Sequence, residues 1–269
     1  SVRVMGRRTI LNFVGALALC ATAAVSAAAQ DFQKSYNLEA GGSVEIENVS
    51  GDVNLTGYEG SAVIVSAYKE GRDRELVEVE DESTQGRVSL RAKYPNNCNC
   101  DASVRFEVRV PRSANLSFDK ISTASGNVKA EGFTGRLHLT TASGDVTVRG
   151  VGGEIRAASA SGTVRVADAT GTVNASTASG DVEVELTRLE GAGDMRFSSA
   201  SGDVHVRMPT NIDARVSMST ASGDIETNFP LEVKHDRHGS GTRAEGQLGS
   251  GARMLKLSSA SGNVSLKSI

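Results

Sequence analysis

The chain has no tryptophan, and aromatic residues make up 4% of its 269 positions. So poor a supply excludes a core built on stacked rings. It also weakens a carbohydrate platform of the kind in which sugar faces lie on aromatic planes. Three cysteines are present, Cys20, Cys98 and Cys100, and they do not make the four-ligand zinc pattern. Neither G-x-S-x-G nor G-x-x-x-x-G-K-[ST] occurs, so no nucleophile elbow and no phosphate loop is present. After residue 29 no stretch carries the periodicity of a long amphipathic helix. Basic charge is also short, with 29 Lys and Arg against 32 Asp and Glu for a net −3.

Residues 1–29 read as a secretory signal peptide with its start at Met5. Arg7 and Arg8 precede the apolar run Ile10 to Val25, and Ala27-Ala28-Ala29 form an A-x-A-like cleavage site. The run is short, alanine-rich and without a stop-transfer signal, so it is not read as a membrane span. Arg7-Arg8-Thr9-Ile10-Leu11 also resembles a twin-arginine signal, while Leu19 before Cys20 is too large for the usual lipobox. Cleavage removes Arg3, Arg7 and Arg8 and no acid, which takes the net charge from −3 to −6. An acidic exported chain argues against nucleic acid and against anionic membrane surfaces as partners. No transmembrane segment is expected after signal removal, and the partner becomes an envelope or surface ligand, protein or glycan.

What the chain has in quantity is one phrase. It reads TASGNV at 123–128, TASGDV at 141–146, SASGTV at 159–164, TASGDV at 177–182, SASGDV at 199–204, TASGDI at 220–225 and SASGNV at 259–264, with an outlying VSGDV at 49–53. The glycines Gly126, Gly144, Gly162, Gly180, Gly202, Gly223 and Gly262 are spaced 18, 18, 18, 22, 21 and 39 residues apart. Such regularity marks a repeat architecture.

Within one unit, Val146 and Val148 alternate with Thr147 and Arg149, then Ile155 and Ala157 alternate with Glu154 and Arg156. Period two means a strand with one buried face. Glycines separate the two runs, so each unit is strand, turn, strand, turn. An antiparallel meander or a parallel solenoid could close this pattern. Identical columns favour the solenoid, since stacking reuses one local solution on every coil.

The expected fold is therefore all-β: a parallel β-solenoid with coils of about 18 residues, two short strands per coil, each coil wound onto the last. The Ala column is expected at a tight corner, with the Ser column beside it hydrogen-bonding along the stack or to corner backbone. Val128, Val146, Val164, Val182, Val204, Ile225 and Val264 should line one sheet of a thin aliphatic core. Leu137, Ile155, Val173, Met195 and Val216 should line the other. Residues 30–120 carry longer, less regular runs and read as wider initial β coils that cap the open edge. Residues 121–269 read as the regular coils, continuous with 30–120 in one domain. Two segments interrupt: the polar loop 94–101 and the glycine-rich stretch 228–251, the latter expected as a hairpin or irregular coil.

The SGDV phrases, the VRVP strand ending at Val110-Pro111 and the closing GQLGSG…LKLSSASGNVSL together resemble the putative-adhesin family of bacterial exported β-solenoids, a family of unknown function. The resemblance covers residues 40–269. It implies a parallel β-helix-like fold, an exported location and an adhesin label, and it supplies no catalytic or binding residues.

Candidate chemistry is sparse. Cys98 and Cys100 admit a loop-closing disulfide, free or intermolecular thiols, or metal and redox work. Asp145, Asp181, Asp203 and Asp224 form a column that could hold Ca²⁺, but the calcium roll's other glycines are missing, and Asp suits such a turn without any ion. His235-Asp236-x-His238 reads as a solvated loop, and His138 and His205 fall on outward strand phases. No metal and no cofactor is expected. The sequence thus points to an exported, non-enzymatic β-solenoid scaffold for adhesion or binding at the surface or in the periplasm. The alternatives are a polysaccharide-active β-helix enzyme, which needs paired carboxylates on one face, and a calcium-stabilised structural module.

Overall fold

The computed structural model describes residues 30–235 and 241–269. The leader with Cys20, and Asp236 and His238 of the histidine motif, lie outside the described residues. The fold is all-β. Its sole helical element among the described residues is one 3₁₀ turn, Arg74–Leu76. No helix among them is long and apolar enough to cross a membrane.

Among the described residues two large sheets, of 11 and 12 strands, share one hydrophobic core. Sheet I has 11 strands, in spatial order Phe32–Tyr36, Val63–Glu70, Ser103–Pro111, Val53–Tyr58, Val128–Glu131, Val146–Arg149, Val164–Ala167, Val182–Glu185, Val204–Met208, Val264–Ser268 and Ile225–Thr227. Sheet II has 12 strands. Its central run is Ser43–Glu47, Leu116–Ser125, Gly135–Ser143, Ile155–Ser161, Val173–Ser179, Met195–Ser201, Met254–Ser261 and Ala214–Ser222. Both sheets are parallel through their middle and antiparallel only toward their ends. This arrangement is consistent with a β-solenoid.

Alternation becomes burial directly. Along Val164–Ala167 the two valines are buried and Arg165 is exposed. Val146 pairs in parallel with Val128 on one side and Val164 on the other, and Val164 pairs with Val182. Leu137, Ile155 and Val173 are joined the same way in sheet II. Each such side chain is withdrawn from water, which stabilises by roughly 1.5–3 kcal/mol per Val, Leu or Ile. The core is not purely aliphatic: Phe106, Phe118 and Phe197 are its largest fully buried side chains, and Phe118 meets Phe133 at a centroid distance of 5.1 Å.

The stacking order departs from the expected one, in which each coil lies on its predecessor. The last unit is wedged inside the stack. Val264 pairs with Val204 on one side and with Ile225 on the other, and Leu255 lies between Met195 and Val216. The physical cause is the stretch 228–251. Its strand Thr242–Leu248 doubles back antiparallel on Ala214–Ser222 and takes that strand's outer edge. Strand Glu232–His235 pairs beyond it. The remaining repeat can then enter only on the inner side.

The outlying VSGDV is likewise a full member of the stack, since Val53 pairs with Val128. The intervening strands, Val63–Glu70 and Ser103–Pro111, lie outside it in sheet I. At this end Lys34 and Tyr36, from the edge strand of sheet I, both reach Asp81 on the edge strand of sheet II, at 2.6 and 3.0 Å.

Candidate functional site

The corner glycines come into one column. In stack order they are Gly51, Gly126, Gly144, Gly162, Gly180, Gly202, Gly262 and Gly223. Gly162 shows why glycine is required. Its φ is +150°, and a Cβ there would fall on the carbonyl oxygen of Gly144. That carbonyl is not idle, because it accepts a hydrogen bond of 2.8 Å from Ser159 Oγ. Thr141 reaches Gly126 at 2.9 Å, Thr177 reaches Gly162 at 2.9 Å and Ser199 reaches Gly180 at 2.8 Å.

The hydroxyl ladder is therefore the first position of the phrase, not the Ser beside the alanine. Ala142 and Ser143 are both exposed, whereas Thr141 is buried. The Ala column thus lines the outside of the bend. A strand ending in this bend turns its odd positions inward, and Thr141 continues the inward phase of Leu137 and Leu139.

The Asp column also serves the stack. Asp145 Oδ1 accepts the backbone N–H of Thr163 at 2.8 Å, and Asp181 Oδ1 accepts that of Asp203 at 2.8 Å. Asn127, Asp203 and Asn263 repeat the bond to the coil above. In stack order the column reads Asp52, Asn127, Asp145, Thr163, Asp181, Asp203, Asn263, Asp224. Only Asp181 and Asp203 are adjacent, so the wedged last coil separates two carboxylates that the sequence alone would stack. No group of three His, Cys, Asp or Glu among the described residues converges as a metal site.

Cys98 and Cys100 lie in the loop after Tyr94, with Cα atoms 5.1 Å apart, inside the range a disulfide spans. His138 and His205 are exposed on the outer faces of sheets II and I.

Those outer faces differ in charge. On sheet I cations meet acids on neighbouring strands. Arg165 lies 3.0 Å from Glu183 and 3.3 Å from Asp145. Arg207 lies 3.2 Å from Glu185, and Lys267 lies 2.8 Å from Glu226. On sheet II the registers His138 to Arg156, Arg156 to Asn174, Asn174 to Arg196 and Arg196 to Lys256 set one basic row across five strands. Arg156 is bridged by Glu154 at 2.8 Å. No described residue forms an ion pair or hydrogen bond with the side chains of His138, Arg196 or Lys256. A groove of about 230 Å³ is bounded by His138, Arg156, Asn174, Ser176, Arg196 and Ser198. Sequence reasoning missed this row, because its members lie 18 to 60 residues apart and only the strand register aligns them.

Several acids are tuned by their partners. Burial alone would raise the Asp81 carboxyl, but hydrogen bonds from Lys34, Ser83 and Tyr36 hold it down at about 2. Burial, helped by Asp81, pushes the Tyr36 phenol up. The Lys120 ammonium holds Glu47 below the usual carboxylate range, and Lys267 does the same for Glu226.

Comparison with known proteins follows the architecture. No curated protein matches the chain. A solved structure of a putative cell adhesion protein from Clostridium sporogenes is 13% identical, with a TM-score of 0.40 over 88% of this chain and 99% of that one. A putative adhesin from Bacteroides fragilis is 13% identical, with a TM-score of 0.37 over 88% and 96%. One from Parabacteroides distasonis is 10% identical, with a TM-score of 0.36 over the same shares, 88% and 96%. The sequence profile of the Toastrack DUF4097 family matches residues 34–267. The chain, matched over nearly its whole length, belongs to the Toastrack DUF4097 family.

Proposed function

We propose that the protein is an exported, non-enzymatic β-solenoid scaffold, wound in coils of about 18 residues, that binds a ligand of the cell envelope or surface. One observation carries this reading. The first hydroxyl of the repeated phrase and the Asp or Asn after its glycine are engaged in holding coil to coil, as Ser159 does on Gly144 and Asp145 on Thr163. What remains for a partner is the pair of broad outer faces, with side chains set in straight rows. The leader, with Arg7-Arg8, the apolar run and Ala27–Ala29, supports export.

The alternative, a polysaccharide-active β-helix enzyme, would pair carboxylates on one face; in the corner column Asp181 and Asp203 are the adjacent pair, and each accepts a backbone N–H of the next coil. A calcium-stabilised module is disfavoured because Oδ1 of Asp52, Asp145, Asp181 and Asp203 already accepts a backbone N–H.

The test has two parts. Fractionation should find the chain outside the cytoplasm with its N-terminus near Gln30, and the purified protein should retain a defined component from envelope fractions. An uncleaved N-terminus in the cytosol, or turnover of an envelope polysaccharide, would overturn the reading. Calcium dependence is read from a melt with and without chelator.

A further inference from the structure

We infer that the outer face of sheet II binds a linear acidic polysaccharide, whose carboxylates lie along the row His138, Arg156, Arg196 and Lys256. The inference rests on the scaffold reading and gives its ligand a chemical class.

The charge pattern comes first. Arg196 and Lys256 are direct neighbours across a parallel pair. Like charges placed opposite each other destabilise a sheet. On sheet I Arg165, Arg207 and Lys267 each have an acid within ion-pair distance. On sheet II Arg196 and Lys256 have none among the described residues. An unneutralised pair held in register by the fold is complementary to an anion supplied from outside.

Its shape comes second. Neighbouring strands are about 4.8 Å apart, so the row from His138 to Lys256 spans about 19 Å along the stack axis. A pyranose in an extended chain advances by close to one strand spacing, and its units rotate about the chain axis, so the carboxylates that face the sheet recur at multiples of that spacing, as Arg156 and Arg196 do. Asn174 sits between the two arginines. Its Oδ1 accepts the backbone N–H of Arg196 at 3.0 Å, which leaves its Nδ2 to donate outward. Beside the row run Thr140, Ala158, Ser176, Ser198 and Ser258, small side chains in register. Ala158, Ser176 and Ser198 floor the groove, and the two serines offer hydroxyls for sugar hydroxyls.

The row is also bounded. Past Lys256 come Ser217 and then Glu245. At the other end Lys120 is taken by Glu47 at 2.7 Å. A ligand of limited width and a few sugars of contact fits this stripe. A single-stranded nucleic acid is disfavoured because its bases need aromatic platforms, and no aromatic side chain borders the groove.

The test titrates the purified protein at low salt with an oligogalacturonate, its fully methyl-esterified form, an oligodeoxythymidylate and phosphatidylglycerol vesicles. The acidic oligosaccharide should bind and the ester should not. Arg196→Glu with Lys256→Glu should weaken binding at least about tenfold, since each lost charge-assisted bond is worth about one such factor. Arg149→Glu, a single charge reversal on sheet I, should leave binding unchanged. Arg196→Gln with Lys256→Gln should weaken it too, and serves if the double reversal does not fold. The inference is overturned by no binding of the acidic oligomer, by equal loss in Arg149→Glu, or by tighter binding of the oligonucleotide or the vesicles. If envelope capture survives in the Arg196/Lys256 variants, this face is not the ligand site and the scaffold reading stands without it.

Discussion

Asp224 donates its backbone N–H to Asn263, 39 residues further along the chain, although Asp203 is nearer in sequence. That bond records the wedging of the last coil between two earlier ones. Crosslinking checks it. Cysteines at Glu226 and Ser265 are register partners and should bridge on oxidation. Cysteines at His205 and Glu226, which flank Ser265 on opposite sides, should be about 9.6 Å apart and should not. The reverse outcome would restore sequential stacking.

The corner column makes a second demand. Gly162→Ala places a Cβ on the Gly144 carbonyl at a φ of +150°, so it should cost more than about 2 kcal/mol. At Gly152 a Cβ meets only Thr134 and Thr170 side-chain atoms, at 3.2 Å and beyond. Gly152→Ala should therefore cost less than about 1 kcal/mol. Denaturant melts of the two variants decide it. Equal losses would show that the column is not specially constrained.

The inward and outward phases should separate cleanly. Val164 is fully buried, so Val164→Asp should cost several kcal/mol and prevent folding. Arg165→Gln removes exposed ion pairs and should cost no more than about 1 kcal/mol. Arg165→Asp is a worse exchange, because it would set a third acid beside Asp145 and Glu183. Soluble yield and melting temperature measure all three.

Acid should loosen the N-terminal end first. Asp81 is held at about 2 in the folded chain, below the ordinary aspartate value near 3.9. A depressed carboxyl contributes stability that is fully present above the unfolded pKa and is lost as pH falls through the folded one. The contribution should therefore fade between about pH 4 and pH 2. It is on the order of 1 kcal/mol once the exposure of Lys34 is allowed for. Asp81→Asn should flatten that part of the pH–stability curve. An unchanged curve would remove the role given to the Lys34–Asp81–Tyr36 contact.

The C-x-C ring predicts a small effect. If Cys98 and Cys100 are bonded, non-reducing mass measurement should show two hydrogens fewer. Changing both to Ser should cost about 1.5 kcal/mol or less, because so short a loop restrains the unfolded chain little.

How far the sequence carried the fold depended on the kind of information. Val146, Val164 and Val182 announce their inward phase by alternation, and the pairing follows it residue for residue. The order of coils was not legible, because Val204 meets the same phrase whether its neighbour is Ile225 or Val264. The hydroxyl ladder was misplaced for a related reason. Thr141 and Ser143 are both small and polar, and only the direction of the bend distinguishes them. The basic row was invisible until register placed Arg156, Arg196 and Lys256 on one face.

The wedged coil also constrains how such a gene can lengthen. Duplicating the unit from Gly144 to Ser161 inserts one more identical layer, since its 18 residues return the chain to the same corner. Duplicating the final unit gives no such layer. Its slot is already bounded by Val204 on one side and Ile225 on the other, so an added copy has no free edge to join. Variation in coil number should arise in the middle of the stack.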